Sequence, residues 1–197
     1  MKVDFGCSDV KKEGYFGIDV YAYPGVDLVY DGKHIPLEDN VADEIFSSHT
    51  LEHVEDFTGT LKELYRISKD GCLWYIRTPH ASSAKGIGMA DHLRTLNSLT
   101  FDNYNALHSH RMYPEIARGS IDIEKISFSL NWWINYMITP KVWWKRIILR
   151  TLDGILSGLA NIHPFFCERI WCYYVGGFDE ICYVLKVHKP QRQHAGR

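Results

Sequence analysis

The sequence predicts an α/β protein built on a mostly parallel sheet that ends in an antiparallel strand pair. Three features carry this expectation. Short apolar runs separated by turn residues fill the first 80 residues. One clear amphipathic helical repeat lies between the last two of these runs. Two longer apolar or alternating runs return near the C-terminal end.

Taken in order, strands are expected over residues 3–6, 15–19, 26–30, 43–47 and 72–77. Pro24-Gly25, Asp31-Gly32, Asp39-Asn40 and Asp70-Gly71 supply the turns between them. A helix is expected over 57–68, with Asp56 as N-cap and Phe57, Leu61, Leu64 and Ile67 on one stripe. Residues 81–118 read as polar loop with short helices, and 121–130 and 180–187 as the terminal strand pair. The links over 7–14 and 20–25 are short. Parallel strands usually need a crossover of about a dozen residues, so helices are expected to be missing there.

Length and composition fit one globular domain, residues 1–197: 46% of residues are hydrophobic and 23% charged. The five cysteines are odd in number and form no C-x-x-C pair, which fits a reducing compartment rather than a disulfide framework. The first residues read as a strand rather than a signal peptide, and no apolar run is long enough to span a bilayer. A cytoplasmic location is expected, with a membrane-peripheral one as the alternative. Charge is divided: residues 1–70 hold 15 Asp/Glu against 7 Lys/Arg, and the remainder 9 against 15.

The chemistry concentrates at predicted strand ends. Gly6 would let a ligand approach the backbone, and Asp19 could accept hydrogen bonds from ribose hydroxyls across the same crevice. No G-x-G-x-x-G follows the first strand, which points to a nucleoside ligand without phosphates.

Val3-Asp-Phe-Gly-Cys-Ser8, Gly14-Tyr-Phe-Gly-Ile-Asp19, Pro24-Gly-Val-Asp27 and Pro36-Leu-Glu-Asp-Asn40 occur in order. Asp43-Glu-Ile-Phe-Ser-Ser-His-Thr-Leu-Glu-His53, Leu61-Lys-Glu-Leu-Tyr-Arg66, Lys69-Asp-Gly71 and Ile76-Arg-Thr-Pro-His80 follow. This series resembles the small class I methyltransferases that use S-adenosylmethionine, in particular the group with a Leu-Glu-His signature after the fourth strand. The resemblance implies a Rossmann-like fold and an enzyme of class EC 2.1.1.-. It places Asp4, Gly6, Cys7 and Ser8 on the methionine part of the cofactor, Asp19 on the ribose, and Val20, Asp31 and Gly32 by the adenine. Ser48 and His49 would face the sulfonium and the acceptor. Two departures stand out, Ser8 and Cys72, where the family usually has glycine. They make a catalytically silent binding module the rival reading.

His49 is the expected catalytic residue, because an imidazole can take a proton from an acceptor hydroxyl or amine. His80, Asp91, His92 and Arg94 are expected on loops beside the acceptor. His49-Thr-Leu-Glu-His53 also fits H-x-x-E-H, which on a helix would hold zinc for a hydrolase. The reading taken is no metal, with Glu52 and His53 capping the helix that follows; His108 and His110 add only weak metal evidence.

Residues 131–175 form a helical, aromatic-rich insert with Trp132, Trp133, Trp143, Trp144 and Trp171 among Lys141, Lys145, Arg146, Arg150 and Arg169. Its stripe of Ile147, Ile148, Leu152, Ile155, Leu156 and Leu159 is expected to cover the sheet face left bare by the short links, or a homodimer interface. Peripheral membrane contact is the alternative. The expected function is methyl transfer from S-adenosylmethionine to an oxygen, or a nitrogen, of a small-molecule, glycan or lipid-linked acceptor; nucleic acid is not expected.

Overall fold

The computed structural model describes residues 1–105, 120–129, 143–172 and 177–189. Seven strands form one sheet: β1 (Lys2–Phe5), β2 (Phe16–Asp19), β3 (Leu28–Val29), β4 (Ala42–Ser48), β5 (Ser68–Pro79), β6 (Ile121–Ser129) and β7 (Glu180–Val187). Their order is β3-β2-β1-β4-β5-β7-β6. The first five run parallel, and β7 is inserted antiparallel between β5 and β6. This is the expected Rossmann-like sheet with its terminal antiparallel pair.

Helix α1 (Phe57–Ile67) connects β4 to β5. The Asp56 carboxylate accepts from the Gly59 N–H and caps its start. Leu61, Leu64 and Ile67 are fully buried against the sheet core of Val3, Phe5, Ile18, Ile45 and Trp74. Ser68 ends the helix in extended geometry and is already the first residue of β5, so this strand begins four residues earlier than its apolar run suggests.

The links between β1 and β2 and between β2 and β3 contain no helix. Side-chain carboxylates brace them instead. Asp4 accepts from the Lys12 N–H at 2.7 Å, and Asp27 accepts from the Gly17 N–H and the Lys11 ammonium, each at 2.7 Å.

After β5 come α2 (Ala84–Gly88) and a 3-10 turn (Asp102–Tyr104). Helix α3 (Trp143–Ile162) follows β6 and leads into helical turns at Pro164–Phe166 and Cys167–Trp171. It packs on β6, not on β1 to β3. The expected stripe is turned outward: Ile148 is 50% exposed, Leu152 48%, Ile155 53% and Leu159 58%, and Leu156 is half-buried. Among the described residues of the insert, 143–172, the apolar stripe therefore does not cover the early strands. The physical reason lies on the opposite side of α3. There Asp153 and Ala160 are buried, and the Asn161 amide bonds both the N–H and the carbonyl of Phe128 in β6, at 2.7 and 2.9 Å. Trp132, Trp133, Lys141, His108 and His110 lie outside the described residues.

Candidate active site

Register brings the candidate residues to one edge. Phe5 pairs with Ile18 and Ser47, Ser48 with Arg77, and Pro79 with Glu180. Gly6, Asp19, His49, His80 and Glu180 therefore all lie at the carboxyl edge of the parallel strands, where open α/β sheets bind ligands. Because β7 runs antiparallel, its first residue, not its last, reaches this edge.

The cofactor-side residues form the left half. Gly6 has φ +72, and a β-carbon there would meet the Thr50 side chain at 2.2 Å. Only glycine fits so close a strand-end turn. Ser8 holds φ +51, a conformation that favours glycine, and its N–H donates to Asp19 Oδ2 at 2.9 Å. Asp19 Oδ1 accepts from the Tyr21 N–H at 3.0 Å. Each oxygen thus keeps acceptor capacity for a ligand hydroxyl. Val20 and Tyr21 are exposed beside it, and Val20 lies 3.8 Å from where a Gly32 β-carbon would be. Asp31 accepts from the Lys33 and His34 N–H groups; these two bonds, His34 first, hold its carboxyl below the usual range.

Two members of this set point inward. The Cys7 thiol is buried against Gly17 and Lys11, and burial pushes it up to about 11. Asp4 is buried in the link it braces, and desolvation raises its carboxyl.

The right half is a pocket lined by His49, Glu52, His53, Pro79, Met89, His92, Asp179 and Glu180. His49 closes β4 with φ +53, the left-handed geometry that a non-glycine residue adopts at some cost. Its Nε2 lies 2.9 Å from Glu180 Oε1, and its Nδ1 lies 3.3 Å from Glu52 Oε1. Burial disfavours the imidazolium, but the bonds to Glu180 and Glu52 outweigh it and raise the pKa to about 9. Glu180 also accepts from Arg77, and although burial opposes its charge, His49 and Arg77 hold its carboxyl low. Glu52 is buried, with Oε2 accepting from the Thr78 hydroxyl at 3.0 Å.

The sequence placed Glu52 and His53 as caps of the helix that follows, and the alternative zinc reading needed His49 and His53 on one helix face. Instead, residues 51–53 form a turn within a non-helical stretch, and the helix begins at Phe57 under Asp56. Positive φ at His49 sends the chain out of the strand into this turn, so His49 and His53 share no helix face. Among the described residues, the donor atoms close enough to share a cation belong to Glu52, His53 and His92, within 4.8 Å of one another. The His53 and His92 rings meet edge to face at 4.8 Å.

Of the four expected acceptor-side residues, only His92 lines the pocket. Arg94 donates to the carbonyls of Leu51, Val54 and Glu55 and stacks on Phe57, which clamps the turn carrying His49 to His53. His80 is buried between Ser82 and Glu168. Asp91 is exposed, and its backbone carbonyl lies 3.0 Å from His53 Nδ1. Ser48 is half-buried at the end of β4. Sequence reasoning missed Glu180, Asp179, Arg77 and Met89. A charged residue opening an apolar terminal strand was the available signal for Glu180.

Residues 12–76 match the family model described as a methyltransferase domain. No curated protein matches the chain. Solved structures share the fold at low identity. An S-adenosylmethionine-dependent methyltransferase from Thermotoga maritima is similar with a TM-score of 0.56 and 13% identity, over 95% of this chain and 82% of that one. Phosphoethanolamine N-methyltransferase 2 of Haemonchus contortus, in complex with S-adenosylmethionine, gives 0.54 and 11%, over 96% of this chain and 48% of that one. The [4+2]-cyclase SpnF gives 0.54 and 13%, over 96% and 74%. The chain carries a methyltransferase-domain match in its first half, on the Rossmann-like fold of the methyltransferases.

Proposed function

We propose that the protein is an S-adenosylmethionine-dependent methyltransferase acting on an oxygen, or less readily a nitrogen, of a small-molecule, glycan or lipid-linked acceptor. One observation carries this reading. A nucleoside-type strand end (Gly6, Asp19, Val20, Gly32) and a pocket holding His49 between two carboxylates share one sheet edge.

The residues present suit the cofactor. Asp19 offers acceptor lone pairs to ribose hydroxyls, exposed Val20 offers an apolar surface to adenine beside Gly32 and Asp31, and the backbone of Gly6 to Ser8 borders the methionine part. The Cys7 thiol takes no part in this, being turned inward. When bound, the cofactor supplies a methyl group on a sulfonium, open to in-line attack.

The chain's own contribution is positioning and proton removal. The pocket walls orient the acceptor, and turns clamped by Arg94 keep His49 in place. Glu180 holds the Nε2 proton of the neutral imidazole, so an acceptor hydroxyl or amine would displace the longer contact to Glu52 and hand its proton to Nδ1. The two carboxylates then stabilise the imidazolium that forms. No metal is invoked, so chelator should leave transfer intact.

A catalytically silent binding module is the second reading, favoured by Ser8 at φ +51 where the family has glycine. Calorimetry with S-adenosylmethionine and S-adenosylhomocysteine, followed by transfer of labelled methyl to candidate acceptors, separates the two. Binding together with transfer supports the enzyme, and binding without transfer to any hydroxyl or amine acceptor supports the silent module. Absence of binding contradicts both.

A further inference from the structure

We propose that the outward face of α3 and of the helical turns after it is a docking surface for an anionic lipid bilayer. Helix α3 is amphipathic the wrong way round for a helix that merely covers a sheet. Its buried side holds Asp153, Ala160 and Asn161. Ile148, Leu152, Ile155 and Leu159 recur at alternating four- and three-residue spacing along the exposed side. The apolar surface continues through exposed Phe165, Phe166 and Ile170. Contiguous apolar exposure of this kind marks an interaction site rather than ordinary surface.

Charge selects the occupant. Residues 131–175 contain five Lys/Arg and only two acids, Asp153 and Glu168. Both acids are turned toward the protein. Asp153 is buried and bonded to the Ser157 hydroxyl, and Glu168 bonds His80 and both the N–H and the hydroxyl of Ser98. Arg150 and Arg169 are exposed, and the Arg169 guanidinium lies 4.7 Å over the Phe165 ring. Arg150 stands on the side of α3 away from the stripe, but the stripe leads to the exposed Phe165–Arg169 pair. An apolar surface that ends in a cation, in a basic segment whose acids are hidden, is complementary to negatively charged headgroups. Five of the six tryptophans also fall in this segment, the side chain that favours the membrane-water interface. Among the described residues no helix is long and apolar enough to cross a membrane, so a docked α3 would lie along the surface.

The docked segment is tied to the pocket. Glu168 anchors it to His80, the neighbour of the pocket-lining Pro79. Docking would thus present the pocket edge near the bilayer.

The test uses the full chain and sucrose-loaded vesicles of phosphatidylcholine, alone or with equal parts phosphatidylglycerol. Sedimentation with the anionic vesicles is expected, and roughly tenfold weaker binding to phosphatidylcholine alone or at high salt. The double substitution Ile155→Asp/Leu159→Asp should weaken binding at least about tenfold while leaving the far-UV spectrum unchanged, since both side chains point outward. Wild-type protein remaining in the supernatant with anionic vesicles overturns the proposal. If light scattering then shows a dimer that the double variant splits, the face belongs to a second copy. The readout requires no methyl transfer, so its failure would leave the enzymatic reading untouched.

Discussion

Helices α1 and α3 have the same kind of apolar periodicity and opposite fates. Three of the four stripe residues of α1 (Leu61, Leu64 and Ile67) are wholly buried and Phe57 partly so, whereas the stripe of α3 is about half exposed along its length. What differs is the other side. Helix α1 turns Lys62, Glu63 and Arg66 away from the core, and Glu63 and Arg66 pair there and bond the loop over 35–39. Helix α3 instead sends Asn161 to the backbone of β6, fixing its polar side against the protein. Periodicity reveals that a helix has an apolar face; hydrogen bonds on the opposite face decide what that face meets.

Truncation should separate the two helices most sharply. Leu64→Ala removes a fully buried side chain and should cost about 2–5 kcal/mol in denaturant unfolding. Leu159→Ala on α3 should change stability by no more than about 0.5 kcal/mol. A cost for Leu159→Ala equal to that of Leu64→Ala in the monomer would break the comparison.

The pocket edge gives the next effect. His49→Ala should lower turnover roughly 10²–10⁴-fold with little change in cofactor affinity, as for loss of a general base. The neutral imidazole is the active form, and the pKa is raised to about 9. The rate should therefore climb through neutral pH, pass half its maximum at about 9 and level off above it; a flat profile over that range would exclude His49 as the base. The same shift stabilises the fold. A raised pKa means the folded state holds the proton more tightly, so this contribution is full below the ordinary 6.5 and is lost as pH rises through about 9.

The smallest effect falls on α3. Gly158 lies in a helix, and an added β-carbon would meet nothing within 4 Å. Gly158→Ala should stabilise by about 0.5–1 kcal/mol, measured by thermal unfolding. Destabilisation would mean that this side of α3 packs against something.

Much of this division was legible in the sequence. The strands around Phe5, Ile18, Ile45 and Ile76 follow from apolar runs punctuated by turns, and the missing early helices follow from link length alone. The nucleoside edge was legible because Gly6 and Asp19 close successive strands. The pocket was not. Glu180 joins it only because β7 runs antiparallel, and Arg94 acts on carbonyls 39 to 43 residues away in the chain. H-x-x-E-H spacing suggested a helix, which positive φ at His49 forbids. The orientation of α3 was hidden for the reason the two helices teach: Asn161 reaches a partner 33 residues distant, and no local pattern announces that contact.

The central claim is that this sheet edge holds a methyl-donor nucleoside, with Asp19 on its ribose. Calorimetric titration of S-adenosylhomocysteine into the wild type and Asp19→Ala tests it most directly. The account predicts binding by the wild type and a loss of about 1.5–3 kcal/mol in the variant, since hydrogen bonds to a charged acceptor are removed. Unchanged affinity in Asp19→Ala, or no binding by the folded wild type, would contradict it.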